Sequence, residues 1–211
     1  MKDLVDFFHE LGKLKGKHRR GWVINDIKNP ESIAEHTFRA AMMAWALGRK
    51  KGLNMEKLLK MAMMHDICEI YAGDTTPYDS ILPRNKKKRA ELMKTWPRFS
   101  STEKKRLAKE KHKREKKALE KLILKLPSDL KKEIKSLWLD YEMGLTAEGR
   151  FFRQMDRLED FLQSMEYWKK YKKPPQGPWW LWAREHFDDP VLLELIKEMD
   201  QKFHKDKKPR I

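Results

Sequence analysis

The chain contains one cysteine, Cys68, among 211 residues, so an internal disulfide is excluded and a reducing, cytoplasmic compartment is expected. The neighbours of Cys68 indicate a packing role rather than a nucleophile. No apolar run approaches the length of roughly 20 residues that a membrane-spanning helix needs. The residues after Met1 also lack the pattern of a cleavable signal. Secreted disulfide scaffolds and membrane proteins are therefore not expected.

Alternation of apolar and polar residues, the pattern of half-buried strands, is also missing, whereas apolar residues recur at helical spacing. We therefore predict an all-α fold, a single-domain helical bundle over residues 1–211. Asn and Gln are scarce while Lys and Glu are abundant, a bias found in hyperthermophile proteins. A thermophilic source is our working hypothesis.

The positive charge is concentrated in one segment. The formal net charge is +16, and over residues 84–121 basic side chains outnumber acidic ones by roughly three to one. Such a segment can bind nucleic acid nonspecifically, which makes a nucleic-acid-binding protein one alternative. Acidic residues nevertheless alternate with the lysines over 103–121, and aromatic residues for stacking are nearly absent, so we favour a solvated helical face. We interpret residues 84–117 as a basic helical insertion in a core of about 15–170.

Start and stop signals divide the chain into helices. Ser32, with Glu35 three residues later, predicts an N-cap with a capping box. The predicted helices cover about 3–14, 33–51, 55–72, 85–95, 102–126, 129–143 and a segment from 147, with closing helices at about 179–204.

One predicted helix ends in ionisable residues. Its apolar stripe leads into His65, Asp66 and Glu69, which share a face because residues three or four apart are neighbours on a helix. Gly73 is the predicted end, followed by a loop over 74–83. Charged groups beside a core are neutralised, paired or bound to a metal. A satisfied histidine with two solvent-exposed carboxylates is the simpler alternative.

Two more ionisable residues lie beside apolar stripes on other predicted helices. His36 falls in the first turns of the helix that Ser32 caps, and Asp156 lies in the helix from 147. Each has a structural interpretation, a core histidine in one case and a salt bridge to Arg153 or Arg157 in the other. Together with the previous group they would suit a site within a helical bundle.

The order of these residues is similar to that of the metal ligands in the HD-domain metal-dependent phosphohydrolases. Further motifs resemble the YfbR-type 5′-deoxynucleotidases over most of residues 20–167: Gly21-Trp22, Pro30-Glu31-Ser32-Ile33-Ala34-Glu35-His36, His65-Asp66-x-x-Glu69, Gly73-Asp74 and Met155-Asp156.

The resemblance implies that His36, His65, Asp66 and Asp156 bind a divalent metal cation. Mixed nitrogen and oxygen ligands suit Mn²⁺, Co²⁺ or Fe²⁺, with Mg²⁺, Zn²⁺ and Ni²⁺ as alternatives. A closed four-ligand zinc site would leave no position for water.

Catalytic and substrate-binding residues are also implied by the resemblance. Glu69 would orient or deprotonate the attacking water or, with Asp74, hold a second ion. Asp74 would otherwise contact the sugar, and Thr75 and Pro77 of the same loop are expected to bind substrate. Trp22 is expected against the sugar carbon that bears the hydroxyl in ribonucleotides.

Phosphate binding is assigned to Arg19 and Arg20. In bacterial family members an arginine directly precedes the tryptophan, whereas Gly21 has that position here. Arg19 resembles the arginine of the eukaryotic Arg-x-Gly-Trp version. A solvated basic loop beside a core tryptophan is the alternative for this stretch.

We therefore predict a metal-dependent 5′-nucleotidase that hydrolyses (deoxy)ribonucleoside 5′-monophosphates to nucleoside and phosphate. One alternative keeps the metal but changes the substrate to a cyclic or hyperphosphorylated nucleotide, and the other is the nucleic-acid-binding protein above. The resemblance favours a homodimer.

Overall fold

The computed structural model describes residues 1–95, 97–172 and 185–203. Within these ranges the only strand-like feature is an isolated bridge between His18 and Ser32, so the predicted all-α class is confirmed. The α-helices are α1 (Lys2–Leu11), α2 (Arg20–Ile24), α3 (Ile33–Gly48), α4 (Met55–Met64), α5 (Glu69–Ala72), α6 (Lys86–Thr95), α7 (Ser101–Leu122), α8 (Ser128–Met143), α9 (Ala147–Tyr171) and α10 (Pro190–Phe203). Short 3₁₀ helices cover Gly12–Gly16, Arg49–Lys51 and Pro77–Ser80.

Two apolar clusters form the core. The larger lies among α3, α4, α9 and α10 and includes the fully buried Phe152 and Phe161. The second joins α1, α5, α7 and α8, and Cys68 packs within it. Met64, the last residue of α4, packs against both clusters. The residues that follow Met64 therefore lie where the two clusters meet.

The capping box at the start of α3 is present as predicted. Ser32 Oγ accepts a hydrogen bond from the Glu35 backbone N–H (3.2 Å), and the Glu35 carboxylate accepts one from the Ser32 N–H (2.6 Å). This cap fixes the first turn of α3 and with it the position of His36. Gly52, which has a positive φ of 64°, ends the 3₁₀ turn after α3.

The predicted helix 55–72 is interrupted. After Met64 the backbone tightens into turns, and Glu69 begins a separate helix, α5. His65 Nδ1 donates to the carbonyl oxygen of Ala62 (2.7 Å), and the Glu69 N–H donates to the Asp66 carbonyl (3.0 Å), three residues back rather than four. The imidazole thus contacts a carbonyl inside α4, and a tighter turn replaces the regular helix.

The predicted solvated face over 103–121 continues along α7. Nearly every residue of α7 before Lys111 is exposed. From Glu115, which is 3% exposed, one face of the helix is buried while Lys116, Lys117 and Lys121 stay exposed. The predicted helix 102–126 also ends early, at Leu122. The division into a core and an insertion at 84–117 stays a prediction.

Helix α10 is the last element that the structure describes. Leu192, Ile196 and Met199 of this helix are buried in the larger cluster, whereas residues 179–184 of the predicted closing helices lie outside the described ranges. A search of the described helices finds none with the length and apolar content of a membrane span.

Candidate metal centre and catalytic site

The four predicted metal ligands lie together between the two core clusters. His36 comes from α3, His65 and Asp66 from the turn after α4, and Asp156 from α9, and none is more than 9% exposed. His36 Nε2 lies 3.3 Å from His65 Nε2 and 2.9 Å from Asp156 Oδ1. Asp66 Oδ2 lies 3.2 Å from His65 Nε2 and 3.8 Å from His36 Nε2.

These distances suit the ligands of one ion. Ligand atoms that surround an octahedral ion at about 2.1 Å stand about 3.0 Å apart as neighbours and about 4.2 Å apart when opposite. The ligand atoms of His36, His65 and Asp156 all lie within 4.8 Å of one another. Asp66 approaches both imidazoles within the same range, from the rim of the cluster. The donor set can therefore hold a divalent cation.

Each imidazole is oriented through its other nitrogen. His36 Nδ1 lies 2.5 Å from Oε2 of the buried Glu159, and His65 Nδ1 donates to the Ala62 carbonyl. Arg39 Nε donates to the other Glu159 oxygen (2.6 Å). Both Nε2 atoms are thereby left to face the centre, the arrangement that fixes metal-binding histidines in proteins.

The second carboxylate oxygen of Asp156 also accepts a hydrogen bond. The Tyr141 hydroxyl on α8 donates to Asp156 Oδ2 (2.8 Å), while Oδ1 faces His36 and His65. Among the described residues, Asp156 forms no ion pair with Arg153 or with the arginine at 157, so the salt-bridge interpretation is wrong. The carboxylate instead belongs to the histidine cluster.

The carboxylates of the cluster attract positive charge. Burial lowers the pKa of His65, but the neighbouring Asp66 and Asp156 raise that pKa to about 10. Burial and Arg19 lower the pKa of His36, yet hydrogen bonds to Asp156 and Glu159 raise it well above its usual value. The negative charge that raises the pKa of both imidazoles also favours a metal cation bound to their nitrogens in place of protons.

A second group of ligand atoms lies close to the first. It is formed by Glu31, His36, Glu159 and Asp160. Its carboxylates already accept hydrogen bonds from Trp22, Arg39 and Arg19 respectively. Because these donors satisfy the carboxylates, the first group is the better candidate for a metal site, and the second group supports it.

Glu69 lies one turn beyond Asp66 and is 1% exposed. Its Oε2 atom is buried and has no hydrogen-bond partner among the described residues. Burial, together with the carboxylates of Asp66 and Asp74, raises the pKa of Glu69 well above its usual value. A buried carboxyl group with an unused oxygen is positioned to act as a general base.

Arg19 bridges three carboxylates at the rim. Nη1 donates to Asp66 Oδ2 (2.9 Å), Nη2 contacts both oxygens of Asp160 (2.8 and 3.0 Å), and Nε lies 4.0 Å from Asp74 Oδ2. Its side chain is 12% exposed. Arg19 is therefore next to a predicted ligand, but most of its donors are already in use.

Arg20 and the loop after α5 form the other side of the rim. The Arg20 backbone N–H donates to Asp74 Oδ2 (2.6 Å), and its Nε donates to Asp79 Oδ1 (2.7 Å). Thr75 is half-buried and accepts a side-chain hydrogen bond, whereas Pro77 is exposed at the start of its 3₁₀ helix. The structure thus places Asp74 and Thr75 at the rim and Pro77 on the surface of the same loop.

Trp22 forms a fixed aromatic wall. It is 7% exposed, and its Nε1–H donates to Glu31 Oε1 (2.9 Å). The Tyr167 ring meets Trp22 edge-on, with 5.3 Å between centroids, and the Tyr167 hydroxyl accepts from the Glu31 N–H (2.8 Å). Contact between this wall and a sugar stays a prediction.

Sequence reasoning missed the residues that support the ligands, chiefly Glu159, Asp160 and Arg39. A signal was available on α9, since Asp156, Glu159, Asp160 and Gln163 recur at three- and four-residue spacing. This polar stripe runs through an otherwise apolar helix face and marks the side of α9 that faces the site.

Glu159→Gln should weaken metal binding without preventing it. The change keeps the size of the side chain but removes the charge that orients His36, and such supporting contacts are worth about 10–100-fold in metal affinity. The measurement is the Kd for Mn²⁺ or Co²⁺ by chelator competition. Glu166→Gln is the matched control, because Glu166 also accepts from Arg39 (2.7 Å) but lies outside the cluster. Equal affinities of the two variants would contradict the supporting role.

A helical bundle that encloses buried histidines and aspartates from separate helices defines the HD-domain class. The family model described as "HD domain" matches residues 11–178, and the chain belongs to this family. Its relatives include proteins named 5′-deoxynucleotidase HDDC2. The Xenopus laevis protein is 34% identical over 196 residues, covering 92% of this chain and 85% of that protein. The Bos taurus protein is 31% identical over 200 residues, covering 94% and 85%.

A fungal relative and two solved structures extend the comparison. The 5′-deoxynucleotidase hdd1 of Schizosaccharomyces pombe is 30% identical over 206 residues, covering 94% of this chain and 91% of that protein. A conserved hypothetical protein from Pyrococcus furiosus matches with a TM-score of 0.64 and 26% identity, over 92% of this chain and 97% of the other. A predicted metal-dependent phosphohydrolase from Magnetospirillum magnetotacticum matches with a TM-score of 0.57 and 29% identity, over 78% and 70%.

Proposed function

We propose that this protein is a metal-dependent 5′-nucleotidase that hydrolyses (deoxy)ribonucleoside 5′-monophosphates to nucleoside and phosphate. The observation that carries the proposal is the buried cluster of two imidazole nitrogens with carboxylate oxygens 2.9–3.8 Å from them, one turn before the unused oxygen of Glu69. The relatives named 5′-deoxynucleotidase support the substrate class.

His36, His65, Asp66 and Asp156 would hold the ion. Mn²⁺, Co²⁺ and Fe²⁺ suit two nitrogen and two oxygen donors, and Mg²⁺, Zn²⁺ and Ni²⁺ are the alternatives. When bound, such an ion supplies Lewis acidity, lowering the pKa of water and offsetting charge on a phosphate.

Glu69 takes the proton of the attacking water through its unused Oε2 atom. The water oxygen forms the new bond to phosphorus, the bond from phosphorus to the 5′-oxygen breaks, and the 5′-oxygen is protonated as the nucleoside leaves. Asp74, held by the Arg20 backbone N–H, either positions the sugar or joins Glu69 in holding a second ion. Arg19 orients the carboxylates at the rim, and Thr75 and Pro77 lie on the loop that borders the substrate.

The test is phosphate release by protein loaded with each candidate ion. We expect turnover of nucleoside 5′-monophosphates and none of 3′-monophosphates. Cyclic and hyperphosphorylated nucleotides belong in the same panel, because preference for either would replace the proposed substrate. Metal-loaded protein that releases phosphate from none of these compounds would contradict the proposal.

Trp22→Ala should reduce discrimination between deoxyribose and ribose. The resemblance implies that the indole lies against the sugar. Because Glu31 and Tyr167 fix the indole, it would then clash with an added 2′-hydroxyl, and its removal should admit the ribonucleotide at some cost in rate. Turnover of deoxy- and ribonucleoside monophosphates is compared for both proteins.

Thermal melts accompany these assays, because truncating a buried tryptophan costs about 3–5 kcal/mol of stability. Trp138→Ala is the matched control, since Trp138 is 3% exposed and lies in the second core cluster. A lower melting temperature with an unchanged deoxy-to-ribo ratio would assign Trp22 to packing alone.

The homodimer, the cytoplasmic compartment and the thermophilic source stay predictions. Sedimentation of the purified protein tests the first, and its melting temperature tests the last.

A further inference from the structure

The basic helix α7 reaches the candidate site through its second half. Helix α5, which begins with Glu69, packs against α7. From α7, Arg114 Nη2 donates to Thr75 Oγ1 (2.5 Å), on the loop that carries Asp74. Lys111 lies three residues earlier on α7 and is therefore close to the same face of the helix.

Lys111 pairs with a buried carboxylate of its own helix. Its ammonium is 3.4 Å from Oε1 of the buried Glu115, and its side chain is 44% exposed. Burial lowers the pKa of Lys111, but Glu115, Glu69 and Asp66 hold the pKa above its usual value. The ammonium is therefore partly open to solvent and is attracted by carboxylates of the site.

The two arginines assigned to phosphate from sequence have other partners. Arg19 is engaged by Asp66 and Asp160, and the side chain of Arg20 by Asp79. A dianionic phosphate that reached the rim would have to displace these carboxylates. An ammonium has three N–H donors, and the structure shows one close ion-pair partner, Glu115, for that of Lys111.

We propose that Lys111 and Arg114 of α7 bind the phosphate group of the substrate. The inference rests on the proposed function, and it gives the second half of the basic segment a role in the site. Lys111 contributes a compact charge on the helix that packs against α5, and Arg114 contributes a planar fork at Thr75. Recognition is electrostatic, so that binding weakens as salt increases.

The variants are Lys111→Gln and Arg114→Gln, with Lys113→Gln and Lys116→Gln as matched controls. The control lysines are exposed residues of the same helix, so each change removes one positive charge from α7. Wild-type protein and variants are compared for metal content, for kcat and KM with a deoxyribonucleoside 5′-monophosphate, and for competitive inhibition by inorganic phosphate and by the free nucleoside.

We expect KM and the phosphate inhibition constant to rise about 10-fold in Lys111→Gln and less in Arg114→Gln. Nucleoside inhibition, metal content and the control variants should be unchanged. An unchanged phosphate inhibition constant in Lys111→Gln would overturn the inference, as would equal weakening of phosphate and nucleoside, which indicates a distorted pocket.

Phosphate binding to the metal-loaded protein, measured by titration, separates the two hypotheses. Wild-type protein that binds phosphate but hydrolyses no nucleotide would contradict the proposed function. Active wild-type protein whose phosphate affinity is independent of Lys111 would contradict only the inference.

Discussion

An Asp66→Ala variant should purify without the tightly bound divalent ion that the wild-type protein is expected to hold at about one per chain. Asp66 Oδ2 lies 3.2 and 3.8 Å from the Nε2 atoms of His65 and His36, and it also accepts from Arg19. Its removal takes away a ligand and leaves the Arg19 charge at the site with one carboxylate fewer to offset it. Both changes disfavour a second positive charge there.

Elemental analysis after dialysis measures the ion, and far-UV circular dichroism confirms that the variant is folded. Asp79→Ala is the matched control, because Asp79 pairs with Arg20 on the neighbouring loop and lies outside the ligand cluster. We expect full metal occupancy in Asp79→Ala and little in Asp66→Ala. Full occupancy in Asp66→Ala would show that the ion is held by His36, His65 and Asp156 without it.

Features of the fold that depend on local chemistry could be predicted from sequence. The capping box of Ser32 and Glu35 needs only residues three apart, and the structure has it. The left-handed backbone at Gly52 is equally local. Helical spacing of apolar residues fixed the all-α class, because the period of the pattern is set by the helix itself.

The prediction that four residues lie together rested on their order along the chain and on the family resemblance, not on a local sequence pattern. These residues are His36, His65, Asp66 and Asp156. Each residue alone had a structural interpretation, and for Asp156 that interpretation was wrong. What the sequence could not supply was the distance between helices, on which the support of His36 by Glu159 depends. Such contacts join residues more than a hundred positions apart.

The break after Met64 and the burial of Glu115 were missed for related reasons. A regular helix over 55–72 satisfies the apolar pattern, whereas in the structure turns follow Met64 and the Glu69 N–H bonds the carbonyl three residues back. On α7 the apolar Ala118 and Leu119 mark the packed face of the second half, but Glu115 carries a charge, so the sequence does not show that it is buried on the same face.

Glu69→Gln should retain the metal but lose most of the turnover. The amide has nearly the size of the carboxyl group and should leave the turn after Asp66 intact. It cannot accept a proton as the carboxylate does, and Oε2 of Glu69 is the buried carboxylate oxygen beside the ligands with no described hydrogen-bond partner. Loss of a general base typically reduces kcat by about 10²–10⁴-fold.

Single-turnover phosphate release and metal content are measured together, so that a loss of rate is not mistaken for a loss of the ion. Glu142→Gln serves as the control, because Glu142 pairs with His112 (2.9 Å) on the neighbouring helices and is no part of the ligand cluster. A metal-loaded Glu69→Gln variant that turns over at nearly the wild-type rate would exclude Glu69 as the base. The same result would move water activation to the ion alone or to Asp74, the next carboxylate at the rim.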